Sequence, residues 1–178
     1  MKLVAATLEL LEALQRDPAA FAELIGSPIP DGWPEFPESI EFSIVKLGEA
    51  PDESDWWLHF FLADDLVADD CLADERLVGS GGFVGPPTDG TVEIGYEIAP
   101  AFRGRGYATA ASRAMIDKAL STGSVDTVVA HTLAAENPST SVLRRLGFRF
   151  VAELPDDEQG SVWRWSLSAA EMNATPSP

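Results

Sequence analysis

Cysteine, histidine and tyrosine are scarce in this 178-residue chain, which has one Cys, two His and two Tyr. The single cysteine, Cys71, excludes an internal disulfide and a cysteine-based metal cluster. It lies between Asp70 and Leu72 in an acid-rich stretch, and acidic neighbours raise a thiol's pKa, which argues against a nucleophile. His59 and His131 have no clustered carboxylate in the sequence and make no metal site. Basic residues number 12 against 29 acidic ones, a net charge of −17 at pH 7. Such a chain lacks the basic face that nucleic acid requires. The charge suits attraction of a cationic substrate and equally suits mere solubility. No stretch approaches the roughly 20 apolar residues that span a bilayer. The opening residues lack a long apolar run behind a basic lead, and Glu9 and Glu12 break up the leucine-rich segment after them. A secretory signal is therefore not expected, and a reducing cytoplasm is.

What is present is ordinary for a globular domain: 46% of residues are hydrophobic, enough for a sizeable core. Asp17-Pro18 followed by Phe21, Leu24, Ile25 and Gly26 predicts a short helix with its cap, first residue and stop. A weaker helix over Thr7–Gln15 precedes it. Ser27–Pro37, rich in Pro and Gly, reads as loop, and Pro37–Leu47 as a further helix with Ile40, Ile44 and Leu47 on one side. Strands are predicted at Trp56–Leu62, Arg76–Phe83 and Thr91–Ile98, the last with strict alternation. Ala108, Ala111, Ser112, Met115, Ile116 and Ala119 recur at helical spacing and mark the clearest helix. Thr127–Thr132 is a strand, Val142–Leu146 a short helix stopped by Gly147, and Phe148–Leu154 with Ser161–Leu167 a closing hairpin. Residues 169–178 lack periodicity and read as a flexible tail. The order predicts a mixed α/β (α+β) domain over 1–168 on one central sheet.

The junction Ile98–Ala108 joins a strand to that clearest helix. Unpaired backbone N–H groups and the positive helix end converge there, glycines allow close approach, and Arg103 and Arg105 add charge. The residues from Arg103 through Gly104, Arg105, Gly106, Tyr107 and Ala108 to Thr109 thus form a candidate phosphate cradle. A Walker loop is excluded because no Gly-Lys-Ser/Thr ends the turn. A dinucleotide fingerprint read from Gly104 and Gly106 wants Gly or Ala where Thr109 stands. A tight turn with two incidental arginines stays open on local geometry alone.

The run Val92–Pro100 together with Arg103-Gly104-Arg105-Gly106-Tyr107-Ala108 resembles the GNAT N-acetyltransferase family. That family's pyrophosphate-binding turn has the form Arg/Gln-x-x-Gly-x-Gly/Ala, matched by Arg103, Gly106 and Ala108. A second block, His131–Ser139 with Val142-Leu143 and Leu146-Gly147-Phe148, resembles the RimJ/RimL-type branch. Its Asn and Ser near the start of the short helix contact the pantetheine arm, and Asn137 and Ser139 match them. The specific likeness covers about Leu77–Phe150, the CoA-binding core, and leaves the helical N-terminal part, about 1–50, loosely matched.

The resemblance implies a mostly antiparallel sheet, splayed in the middle and flanked by helices, with pantetheine inserted between the splayed strands. Backbone groups of Tyr96, Ile98 and Ala99 would pair with it. It implies acetyl-CoA as co-substrate, no metal, and direct transfer to an amine, either a protein N-terminus or a small molecule; a homodimer is compatible with it. Glu93 occupies the place of a family general base. Glu97 shares its strand face if no bulge falls at Gly95. Many family members place a proton-donating Tyr where Leu143 stands here, which leaves Ser139, Ser141 or water for that task. Tyr96 and Tyr107 are expected to pack or border the cofactor, and His131 to be a satisfied structural histidine in an apolar strand. Trp33, Trp56, Trp57 and His59 are candidates for an acceptor pocket, the strand residues among them reading more readily as core. A CoA-binding module without turnover is the alternative function.

Overall fold

In the computed structural model the described residues are 1–65 and 74–174; Cys71 and residues 175–178 lie outside them. Seven strands form one sheet in the order β1-β2-β3-β4-β5-β7-β6. They are β1 (Lys2–Ala5), β2 (Leu58–Asp65), β3 (Asp74–Phe83), β4 (Thr91–Ile98), β5 (Thr127–Leu133), β6 (Arg149–Asp156) and β7 (Gly160–Ser168). All neighbours are antiparallel except β4 and β5. The helices are α1 (Leu8–Arg16), α2 (Pro18–Ile25), α3 (Pro37–Glu49), α4 (Tyr107–Ser121), α5 (Pro138–Leu146) and α6 (Ala169–Ala174). This is the mixed α/β, mostly antiparallel sheet that the sequence predicts.

Alternation along the strands divides the core between the two faces of the sheet. Phe61, Val78, Ile94 and Ile98 pack with Met115 and Ile116 of α4, Leu143 of α5 and Trp165 of β7. Phe60, Leu62 and Leu77 pack on the opposite face with Leu11, Phe21, Ile40 and Leu47 of α1–α3. Helix α4 and the helical N-terminal part therefore lie on opposite sides of the sheet. Local chemistry sets the helix ends. Asp17 accepts from Ala20 N–H at 3.1 Å ahead of Pro18, and Gly26 closes α2 in the left-handed region at φ 74°.

The structure departs from the sequence reading in three places. β1 has no counterpart there, since four residues at a sheet edge carry too short a pattern; it pairs Lys2–Ala5 with His59–Leu62. Trp56 does not open a strand but ends a 3-10 turn over Pro51–Trp56, and β2 begins at Leu58. The tail predicted from Ala169 is a helix as far as Ala174. Ser168 and Glu171 cap its start reciprocally, and Met172 packs on the core.

Candidate functional site

The turn after β4 folds as an anion cradle should. Pro100–Phe102 makes one 3-10 turn, Arg103 is extended, and Gly104 and Gly106 are left-handed at φ 73° and 86°. Nothing approaches within 4 Å of where a Cβ would stand on either glycine, so the turn is open above its backbone. α4 has no side-chain cap, and its first internal bond runs from Ala110 N–H to Gly106 O at 3.0 Å. The N–H groups of Tyr107, Ala108 and Thr109 precede that bond and face outward from the helix end. Arg103 donates from Nε to Ile98 O at 2.9 Å and from its terminal nitrogen to the Glu35 carboxylate. Arg105 lies over the Phe102 ring, 5.7 Å from its centroid.

Below the turn, β4 and β5 part company. They pair in parallel from Thr91 with Thr127 only as far as Glu93 with Val129. On the other side of β4, Val84 N–H donates to Glu93 O at 3.1 Å and Ala99 N–H to Val78 O at 2.9 Å. Antiparallel pairing alternates, so Glu93, Gly95, Glu97 and Ala99 turn their backbone groups to β3. Ile94, Tyr96 and Ile98 turn theirs into the gap beside β5. Tyr96 thus turns both backbone groups to an open strand edge and Ile98 its N–H, while the Ile98 carbonyl accepts from Arg103 Nε. Ala99 offers neither group: its N–H is bound to β3 and its carbonyl accepts from Phe102 N–H at 2.9 Å.

Three hydroxyls gather beside this groove. The Tyr96 hydroxyl is buried next to Ser112 of α4 and Ser139 of α5, and neither the Tyr96 nor the Ser112 oxygen has a well-formed hydrogen bond. Burial pushes the Tyr96 phenol up, an effect the neighbouring hydroxyls of Ser139 and Ser112 reduce. Asn137 positions Ser139. Its side chain accepts from Thr140 N–H at 3.0 Å and donates to Ala135 O at 3.0 Å, while Thr140 completes a capping box. Leu143, where a tyrosine would suit the family pattern, is fully buried in the core.

On the opposite face of β4, register with β3 is unbroken through Gly95, so Glu93 and Glu97 do share one face. Glu93 Oε1 lies 2.9 Å from His131 Nδ1 across the closed end of the gap. His131 is therefore not a buried structural histidine: it stands on the odd-numbered, outward side of β5 and partners the candidate base. Glu97 is 8% exposed and accepts from Ser80 Oγ at 3.0 Å and from Glu35 N–H at 2.8 Å. Desolvation raises its pKa above the usual carboxylate value, against the lowering effect of those two donors.

Glu97 floors a cleft of about 250 Å³ between α3 and the β3–β4 pair. Of the four aromatic candidates, only Trp57 lines it. Trp33 stands behind it, donating from Nε1 to Ser80 Oγ at 3.2 Å; Trp56 packs on Phe83 and His59 is fully buried facing that same ring. Sequence reasoning missed Phe36, Phe42 and Val84 as cleft walls and Glu35 as the link between Arg103 and Glu97. Phe42 had a signal, since it lies off the stripe of Ile40, Ile44 and Leu47 on its helix; Phe36 and Val84 lie outside the regular elements, where no periodicity marks them. Glu35 had none, being one acid among many.

The acetyltransferase (GNAT) domain model matches residues 7–149. Comparison with curated protein sequences finds no match. Among solved structures, a chimera of the spermidine N-acetyltransferase SpeG from Vibrio cholerae and hSSAT superposes with TM-score 0.66 at 13% identity, over 98% of this chain and 100% of that one. RimJ from Mycobacterium smegmatis, solved with CoA-disulfide, gives 0.65 at 18% identity, over 97% and 84%. The microcin C7 self-immunity acetyltransferase MccE, solved with acetyl-CoA and AMP, gives 0.61 at 18%, over 93% and 91%. At these identities the likeness is one of fold.

Proposed function

The chain belongs to the GNAT acetyltransferase family, and from that premise we propose that it is an acetyl-CoA-dependent N-acetyltransferase acting on a primary amine. The observation that carries this reading is the free edge of β4, which opens where pairing with β5 stops at Glu93 and leads straight to the two left-handed glycines. An extended pantetheine arm carries amides that can pair with the backbone of Tyr96 and the N–H of Ile98 as an added strand does. Its pyrophosphate then meets the N–H groups opening α4 and the Arg103 guanidinium. The Asn137 and Ser139 motif supports assignment to the RimJ/RimL-type branch, within a single domain that includes α6.

In the reaction a neutral amine forms a C–N bond at the thioester carbonyl carbon as the C–S bond breaks. The thiolate leaves with the electron pair and gains a proton, while the amine nitrogen loses one. We assign the amine's proton to Glu93, whose partner His131 stands at the closed end of the groove. Glu97 holds the amine as it enters. Burial keeps Tyr96 protonated at neutral pH, so the Tyr96–Ser139 hydroxyls can supply the thiolate's proton in place of the tyrosine absent at Leu143.

Calorimetry with acetyl-CoA and a thiol-release assay over a broad amine panel test the reading. Arg103→Ala combined with Gly106→Asp should abolish binding while keeping a cooperative thermal transition, because the new carboxylate enters an anion site. Unchanged affinity refutes the cradle. Tight acetyl-CoA binding with no thiol release for any amine favours the alternative, a CoA-binding module, which the buried Leu143 motivates.

A further inference from the structure

The cleft under α3 has an unusual chemistry for a site that receives a cation. Phe36, Phe42 and Val84 line it while 53%, 48% and 59% exposed, large apolar side chains left facing open space. Trp57 stands edge-on to Phe42 with ring centroids 5.8 Å apart. Glu97 is the sole charged residue among those lining the cleft. Lys46 Nζ lies 5.8 Å from the Phe42 centroid and is paired with Glu49 Oε2 at 3.1 Å. The volume, about 250 Å³, falls below the roughly 300–1,000 Å³ of sites for drug-sized ligands.

We infer that the acceptor is a compact primary amine on an apolar body, an aromatic one fitting the walls best, and that a polyamine is not the substrate. The inference rests on the N-acetyltransferase reading above and specifies its acceptor. One ammonium needs one counter-charge, and Glu97 supplies it at the floor. The further ammonium groups of a polyamine would be stripped of water against phenylalanine and tryptophan, with no carboxylate besides Glu97 among the residues lining the cleft to replace it. Cation–π contact is a weak substitute at an exposed wall, and Lys46 already occupies the Phe42 ring. The chain's net charge of −17 draws both kinds of amine toward the protein, so it does not discriminate between them. A peptide terminus fits poorly for a different reason: its backbone amides need polar partners, Phe36, Phe42 and Val84 offer none, and the Ser39 and Ser43 hydroxyls already donate to Phe36 O and Ser39 O.

Gly95 joins the cleft to the cofactor groove. It lines the cleft, has nothing within 4 Å of a built Cβ, and sits between Ile94 and Tyr96, whose backbones face the groove. An amine held on Glu97 with its body against Phe42 and Trp57 has that opening in front of it.

The test is a steady-state thiol-release assay with 2-phenylethylamine, spermidine and a short peptide with a free N-terminus, each at saturating acetyl-CoA. The expected result is a kcat/KM for 2-phenylethylamine at least about tenfold above both others, the scale of discrimination a filled apolar pocket provides. Phe42→Ala should raise the KM for 2-phenylethylamine about tenfold with acetyl-CoA affinity unchanged. Gly95→Val, whose Cβ would have nothing within 4 Å, should lower kcat/KM for the amine by a similar factor. Spermidine or the peptide equalling 2-phenylethylamine, or acetyl-CoA binding with no turnover of any of the three, overturns the inference and leaves the family assignment standing. Failure to bind acetyl-CoA overturns the parent reading and this one with it.

Discussion

Arg103 is held by Glu35 in this structure, and that fixes the sign of three measurable changes in acetyl-CoA affinity. The pair is half-exposed, with side chains 50% and 40% accessible, so it contributes about 0–1 kcal/mol. A charge-assisted hydrogen bond from the same guanidinium to a phosphate oxygen is worth about 1.5–3 kcal/mol. The phosphate wins, and Arg103→Ala should cost the difference, about 0.5–3 kcal/mol or roughly 2–150-fold in Kd. Glu35→Gln frees the guanidinium while leaving the Glu35 N–H on Glu97, so it should tighten binding by up to about fivefold. The double variant should match Arg103→Ala alone, because the Glu35 carboxylate acts on the cofactor only through Arg103. Calorimetry at low and high salt reads all three, and the Arg103 effect should shrink with salt. Weaker binding by Glu35→Gln, or an Arg103→Ala affinity equal to the wild type's, refutes the reasoning.

Other sites yield signed outcomes. Glu97 has a raised pKa, so the folded state binds its proton more readily than the unfolded chain does. Stability from this group is present at low pH and declines as pH rises through the carboxylate range to the raised value. Glu97→Gln should therefore flatten the melting temperature's pH dependence there while raising the amine KM; parallel curves for the two proteins would contradict this. His59 is fully buried, and burial lowers its pKa from 6.5 to about 4. The unfolded chain takes up that proton first, so stability present above pH 6.5 is lost on acidification towards pH 4, on the order of 3 kcal/mol. Urea unfolding at pH 7 and 4.5 measures it, and the same loss in His59→Gln would exclude His59 as the cause. Tyr96→Phe should lower kcat about tenfold or more with acetyl-CoA affinity within a factor of two; an unaltered kcat removes the hydroxyl from proton delivery.

The conformation of the candidate anion turn was legible because its chemistry is local. Gly104, Gly106, the strand before them and the helix after them lie within one short stretch, and backbone conformation there follows from residue type. The alternation that puts Glu93 and Glu97 on one face was equally readable, and the unbroken register at Gly95 keeps it. What could not be read is whatever depends on two segments meeting. His131 reads as core from the apolar run around it, yet its partner is Glu93, 38 positions away. Ala99 has the right place in the motif, but only the register with Val78 reveals that its amide is taken.

The loop over Ser27–Pro37 is the clearest case. By composition it is a connector, and by position it is the hinge between both halves of the site. Glu35 gives its carboxylate to Arg103 on the cofactor side and its backbone N–H to Glu97 on the acceptor side, while Trp33 bonds Ser80, which bonds Glu97. A phosphate that draws Arg103 off Glu35 therefore removes one of the tethers of the segment carrying Phe36. On the proposed reading, acetyl-CoA binding and the shape of the amine cleft are linked through Glu35, and by reciprocity an amine that fills the cleft should alter acetyl-CoA affinity by the same factor. Glu35→Gln cuts that link without touching either ligand, so the affinity of each ligand in this variant should no longer depend on the presence of the other. Persistence of the coupling in Glu35→Gln would show that it travels through β4 itself.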